Sequence, residues 1–443
     1  MIAQSKVSWS KIIAAVCIIV ALIAAVCYWY YTTTTLPPPS TKLEPIRVGV
    51  IGPMAYTHGT AQVRGAMLAA EEINAAGGIL GRRVDVYYRD TKLDPSIGIT
   101  AATELVKDVG VHFLCGEFSS GVALALLPYL ADFKVPFFYG PASPRICEEV
   151  GKNYDSYGKY AFQMGVQSVD CFAKDTVVSI KTWIEEYHYP IKKYAILRDD
   201  AIWALDGVNS TQKYIKEFGL DLEFVADIPV PLGTTTFEPI ILDLEAKGVD
   251  VVVCWFAHVV DTPFVKQWRE LKGDFLITGE LCAMIDHGIW NKTGGDVEYA
   301  CSIWSSGGVY DITPKMLDFN ERYKAKFGTL PESFEVWATY DGIYAYKCAV
   351  EKAAKAGEKD PFDVETVIRY LEQIDKDHPL PVPRGNLAFT KDTHELVWGV
   401  DYILNPVFQW QGPLKEVVWS PHELATGEFK LPPWVTFHGK LKS

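Results

Sequence analysis

Five short loops hold most of the side chains able to do chemistry: GPMAYTHGT at 52–60, GEFSSG at 116–121, GPASPR at 140–145, RDDAIW at 198–203 and GELCAM at 279–284. Serine hydroxyls and backbone amides in GEFSSG and GPAS suit a carboxylate or carbonyl oxygen, with no metal or cofactor required. The competing reading is that Ser119 and Ser143 cap helix starts. Glu280 closes an apolar run and suits an ammonium or amide N–H, or else sits solvated at a strand end. Trp203 suits stacking on a solute, or packing in a core.

Bond-making constellations are missing from the sequence. It holds no GxGxxG, no GxxxxGK[ST] and no HExxH, and GEFSSG has the spacing G-x-x-S-x-G rather than the G-x-S-x-G that exposes a serine nucleophile. His58 and His258 are possible bases without a partner placed beside them. Asp199 and Asp200 pair carboxylates, yet neighbours at a strand end point to opposite faces and form no acid/base couple. The nine cysteines include no CxxC and no close Cys/His spacing, so a zinc site is not expected. Cys17 and Cys27 lie in the apolar N-terminal segment, and Cys115, Cys254 and Cys282 sit in apolar runs as small buried hydrophobes. The chemistry on offer is that of holding a molecule, not of transforming it.

The elements that must position these loops alternate. IRVGVIG (46–52), RVDVYYRD (83–90), HFLCG (112–116) and PFFYG (136–140) read as strands separated by helix-length segments. Residues 60–78 carry helical spacing and stop at a Gly pair; Pro95 opens the next helix. A second series follows: YAILRDD (194–200), LEFVADIPV (222–230), DVVVCWF (250–256) and DFLITGE (274–280), then helices at 313–327, 334–356 and 364–374 and a Trp-rich tail of strands and loops from Gly385. Strand–helix–strand repetition implies right-handed crossovers and mostly parallel sheets covered on both faces, hence two α/β lobes. In such sheets ligands bind beyond the carboxyl ends of the strands, where the five loops lie.

The 443 residues, 49% hydrophobic and 22% charged, are globular material sufficient for more than one domain. A net charge of -13 repels phosphate backbones, which argues against nucleic acid as a partner. Ahead of the strands lies IIAAVCIIVALIAAVCYWYY at 12–31, uncharged and of roughly the ~20 residues a helix needs to cross a bilayer. Lys6 and Lys11 precede it and no charge follows until Lys42, which predicts a cytoplasmic stub at 1–11, a transmembrane anchor at 12–31 and everything later outside. The alternatives are a cleaved signal peptide or a lipoprotein signal at Cys27; Val26 before that cysteine and the lack of an A-x-A site weigh against both. The Thr/Pro-rich segment at 32–45 reads as a stalk.

VGVIGPM, GAMLAAEEINAAGGILGRRV (65–84), DTKLDPSIGITAATELV (90–106) and, more weakly, VWATYDGIYAYKCAV (336–350) resemble the type I periplasmic binding proteins, in the branch serving importers of branched-chain amino acids, amides and urea. The resemblance spans 46–412 and implies two doubly wound lobes joined by a three-crossing hinge, lobe I at 46–166 and 304–384, lobe II at 167–303 and 385–443. It also implies that Ser120 and Ser143 hold a ligand carboxylate, that Ala142 offers a backbone group, that Glu280 receives an ammonium, and that Trp203 caps the cleft. Where relatives often place tyrosines the chain has His58 and Ala257, so a reshaped side-chain pocket is expected. The function so implied is a membrane-anchored receptor that traps an amino acid, amide or urea and hands it to ABC permease subunits, with no catalysis and no cofactor. A sensor ectodomain using the same clamp is the alternative, and a hydrolase a remote one; with no output domain after Ser443, transport is the expectation.

Overall fold

The computed structural model describes residues 9–34, 43–165, 168–257, 261–286, 288–303, 313–413 and 416–441. Its N-terminal unit is the helix α1 (Trp9–Thr34), with Ile13, Ile18, Leu22 and Ile23 more than half exposed. Among the described residues no helix is long and apolar enough to cross a membrane. The span expected at 12–31 is a helix, and its role as a membrane anchor is not shown. The parts of the stub and stalk at 1–8 and 35–42 lie outside the described residues.

The second unit runs from Pro45. It opens with β1 (Ile46–Gly52), α2 (Thr57–Ala75), β2 (Val84–Asp90), α3 (Pro95–Thr103), β3 (Phe113–Gly116), α4 (Ser120–Leu126), α5 (Leu130–Phe133), β4 (Phe137–Tyr139), α6 (Pro144–Lys152) and β5 (Ala161–Gln163). These strands form one parallel sheet in the order β2-β1-β3-β4-β5. Next come α7 (Val169–Glu185), β6 (Lys193–Asp199), α8 (Ile202–Glu217), β7 (Glu223–Val230), α9 (Glu238–Ala246), β8 (Val251–Phe256), α10 (Asp261–Leu271) and β9 (Leu276–Leu281), giving a second parallel sheet in the order β7-β6-β8-β9. Every residue of β3, β8 and β9 is buried, so both faces of these sheets are covered, as crossover helices require.

The chain continues through α11 (Ile289–Thr293), β10 (Cys301–Ile303), α12 (Pro314–Phe327), α13 (Glu335–Lys355), α14 (Val364–Leu371), β11 (Leu380–Val382), β12 (Gly385–Leu387), β13 (Val407–Trp410) and β14 (Glu416–Ser420). The helix α13 returns to the first sheet, packing on α2 so closely that a Cβ at Gly65 would lie 2.2 Å from the Val336 carbonyl. Two small antiparallel sheets, β10-β13-β14 and β11-β12, add to the parallel pair. The tail then lies along the second sheet, where Asp274 accepts from the backbone N–H of Thr436 and Phe437, and Lys440 Nζ meets Asp250 at 2.8 Å.

The first two expected crossings, at 166/167 and 303/304, reach residues outside the described set. Past the third, at 384/385, the chain does not leave the first sheet at once. Gln163 N donates to His394 O at 3.0 Å and Leu396 N to Gln163 Oε1 at 3.0 Å, while the His394 ring stacks on Phe162 at 4.0 Å. These bonds cover β5, whose backbone groups would otherwise stand unpaired at a sheet edge. Only at Trp398 and Asn405 does the chain reach Asp175 on α7.

Candidate functional site

The strand-end loops of the two sheets meet around a cavity of about 320 Å³. Its first wall is set by β3 and β4. Gly116 takes φ +100, and a Cβ there would lie 2.3 Å from the Ile51 carbonyl, so the chain leaves β3 in a turn that glycine favours. Glu117 follows at φ +57 and its carboxylate accepts from the backbone N–H of Phe118 and Ser119, at 2.9 and 2.8 Å. Ser119 then caps α4, its Oγ accepting from Val122 N at 3.5 Å. This turn brings Phe118, Ser119 and Ser120 to the cavity, and Pro141 and Ala142 reach it from the loop after β4.

The second wall comes from β6, β8 and β9. Asp199 ends β6 fully buried, with Oδ2 accepting from Ala257 N at 2.8 Å, which ties the loop after β8 to the end of β6. Glu280, 2% exposed, lies in register with Trp255 of β8. Trp203, near the start of α8, packs edge-on against Trp255 with ring centroids 6.5 Å apart. Asp199, Glu280, Trp203 and Ala257 all line the cavity, and the rings of Phe172 and Phe334 add apolar surface.

Of the residues singled out in the sequence, Ser119, Ser120, Ala142, Trp203 and Glu280 come together here. Ser143 and His58 do not line the space. Ser143 is fully buried and its hydroxyl donates to Asp206 Oδ2 at 2.7 Å; Arg145 reaches the same carboxylate at 2.9 Å. Ser143 holds the N-cap position of α6 without making a side-chain cap bond. His58 lies behind the first wall, stacked on Phe118 at 4.0 Å, with Nδ1 2.9 Å from Ser333 Oγ and Nε2 3.3 Å from Ala257 O. His258 lies outside the described residues. Among the described residues no group of three or more His, Cys, Asp or Glu is arranged to hold a metal ion.

Sequence reasoning passed over Asp199 as a site residue, though its place at a strand's carboxyl end was signal enough. Phe118, Phe172 and Phe334 were missed because nothing local separates a cavity ring from a core ring. Acids also crowd behind both walls. Burial pushes Asp261 up to about 7, with the Asp199 charge adding, and pushes Glu117 up to about 7. Glu335 is pushed up to about 8, again mainly by burial, with Glu117 adding.

The model of the periplasmic binding proteins matches residues 45–400, from the first strand through both parallel sheets. The chain belongs to the periplasmic binding protein family. It is of type I, in the branch of the branched-chain amino acid receptors, as the resemblance implied. Leu/Ile/Val-binding protein homolog 7 of Brucella suis is 25% identical over 331 residues, covering 73% of this chain and 79% of that protein. A putative branched-chain amino acid ABC transporter from Silicibacter pomeroyi shares the fold with a TM-score of 0.74 at 23% identity, covering 88% of this chain and all of that one. A solute-binding protein of an ABC transporter from R. palustris, in complex with benzoate, gives 0.70 at 15% identity, over 88% and 99%. These relatives are binding proteins, not enzymes, and a periplasmic binding protein domain implies an extracytoplasmic location.

Proposed function

We propose that this periplasmic binding protein is the receptor of an ABC importer, closing lobe I (46–166 with 304–384) and lobe II (167–303 with 385–443) around one small polar solute and presenting it to a permease. The observation that carries the reading is the make-up of the cavity: Ser120 and Ala142 come from the loops of one sheet, Trp203 and Glu280 from those of the other. A solute touching both walls stabilises the closed arrangement by its contacts to each, which is the energetic condition for a ligand-driven closure. Contacts from Ser143 and Arg145 on α6 to Asp206 on α8, and from His58 to the carbonyl of Ala257, bridge the same divide. Solute carried through purification of the full-length chain should appear as a single small molecule in native mass spectrometry, and Trp203→Ala should lower its retention at least tenfold. A solute retained equally by the variant would contradict the assignment of this cavity.

The anchor is proposed with it: α1 would hold the receptor at the membrane beside its permease. Its 26 residues and its exposed apolar side chains support this. In fractionated cells the full-length chain should stay with membranes through an alkaline carbonate wash; release into the wash would overturn the anchor and leave the receptor reading intact.

A further inference from the structure

Resting on the two-lobe reading, we infer that Asp206 is a positioning residue for solute capture: a carboxylate of the second lobe, clasped by Ser143 and Arg145 of the first, that holds the two walls at their closed spacing before any solute arrives. Asp206 lies three residues after Trp203 on α8, on the same side of that helix. Ser143 directly follows Ala142 in the loop after β4. The Ser143 hydroxyl donates to Oδ2 at 2.7 Å, while Nε and Nη2 of Arg145 stand 2.9 and 2.7 Å from Oδ1. Both oxygens of one carboxylate are thus taken by the facing wall. The clasp sits next to Ala142 and one helical turn from Trp203, which line the cavity on its two sides.

This contact is built to hold and still to part. Asp206 is 6% exposed and Ser143 fully buried, so the bonds form away from most water, and hydrogen bonds between a guanidinium and a carboxylate are among the strong ones. The Arg145 side chain is 47% exposed. It borders a second cavity of about 420 Å³, lined also by Asn209, Ser210 and Lys213, so water reaches the pair as the lobes separate and no charge is stranded. On the other side of the first cavity the walls touch through His58 Nε2 and the Ala257 carbonyl at 3.3 Å, a longer contact to a neutral group. A backbone bond from Val169 N to Ala142 O at 2.7 Å lies beside the expected crossing at 166/167, where the lobes stay joined whatever the hinge does. Of these contacts the clasp is the one placed to set the spacing. A receptor held near that spacing has its apparent affinity raised in proportion to the fraction kept closed.

Single-molecule energy transfer on the full-length chain in mild detergent tests this. The dyes are carried by unnatural amino acids at Met67 on α2 and Leu242 on α9, both half-exposed and on opposite lobes. Each sample is read as purified and after dialysis free of carried solute. The dialysed parent should stay mostly at the high transfer of the loaded chain. Asp206→Ala should move at least fivefold more molecules to low transfer, and about 1 M salt, which cuts the screening length to ~3 Å, should do the same in the parent and not in the variant. Arg145→Met, at the half-exposed partner, should give the same shift should the first variant fail to fold. A merely structural role would lower the Tm and leave these salt-dependent populations alone. A dialysed parent mostly at low transfer, or dialysed variants that match it, while the loaded chain stays high, would overturn the inference and leave the closing-lobe reading standing. One distribution for every sample, loaded or empty, parent or variant, would overturn both.

Discussion

Arg384 shows what a single side chain contributes here. Its guanidinium is fully buried, donating from Nε to Asp341 Oδ2 at 2.7 Å and from its two Nη groups to the carbonyls of Gly165 and Met164, which ties α13 to the end of β5. Removing one partner of such a pair strands a buried charge and typically costs ~3–5 kcal/mol, whereas replacing both with apolar groups is often close to neutral. Arg384→Met should therefore lower the urea midpoint sharply, and the double change Arg384→Met with Asp341→Leu should recover most of the loss. A single variant as stable as the parent would show the pair to be dispensable. The partner of Arg384 was not legible in the sequence, because Asp341 and Met164 lie far from it along the chain. The partner of Ser143 was hidden for the same reason: the loop gave its position, but its bond to Asp206 depends on α8 arriving across the divide. The loops that carry Ser120, Ala142, Trp203 and Glu280 were legible because the strand-end rule needs only local pattern, while Ser120 and Ala142 within them came from the family resemblance.

At the level of elements, the long strands declared themselves by continuous β-branched and aromatic runs, since a strand covered on both faces has no polar side to present. VVVCWF of β8 is buried at every position. The three-residue strands β5 and β10 did not, because so short a run carries no period; each is defined by what pairs with it. The helix α2 ends before Gly77 and Gly78, at φ +100 and +80, where the Gly pair had marked a stop. Gly65 has a different purpose, which is to let α2 and α13 approach. Gly65→Ala would gain helix propensity in isolation, but its methyl meets the Val336 carbonyl, so we expect a net loss of ~1–3 kcal/mol and a lowered Tm in thermal melts. A raised Tm would mean that the helices part at little cost.

For the molecule as a whole, the number of carboxyls held protonated sets how stability depends on pH. Burial pushes Glu117, Asp175 and Asp261 up to about 7 and Glu335 up to about 8, against about 4 in the unfolded chain. The folded state thus keeps protons that the unfolded state has lost, and the stability they confer is complete below about pH 4 and is lost as pH rises through 7 to 8. His112 acts in the opposite direction, its pKa lowered to about 4 by burial and by Arg82 and Arg47, but that effect is spent above about pH 6.5. Between pH 6.5 and 8 the Tm should fall, and Glu335→Gln should flatten the fall; a Tm that climbs over this interval would contradict the buried-acid account. Three of these acids, Glu117, Asp261 and Glu335, lie behind the walls of the space between the sheets, where the account places the solute. A crystal structure of the solute-loaded chain tests that placement most directly. It should show one small molecule between Ser120 and Ala142 on one side and Trp203 and Glu280 on the other. Density for the molecule at any other surface, such as the groove between α7 and β14, with this cavity closed by the protein's own side chains, would contradict it.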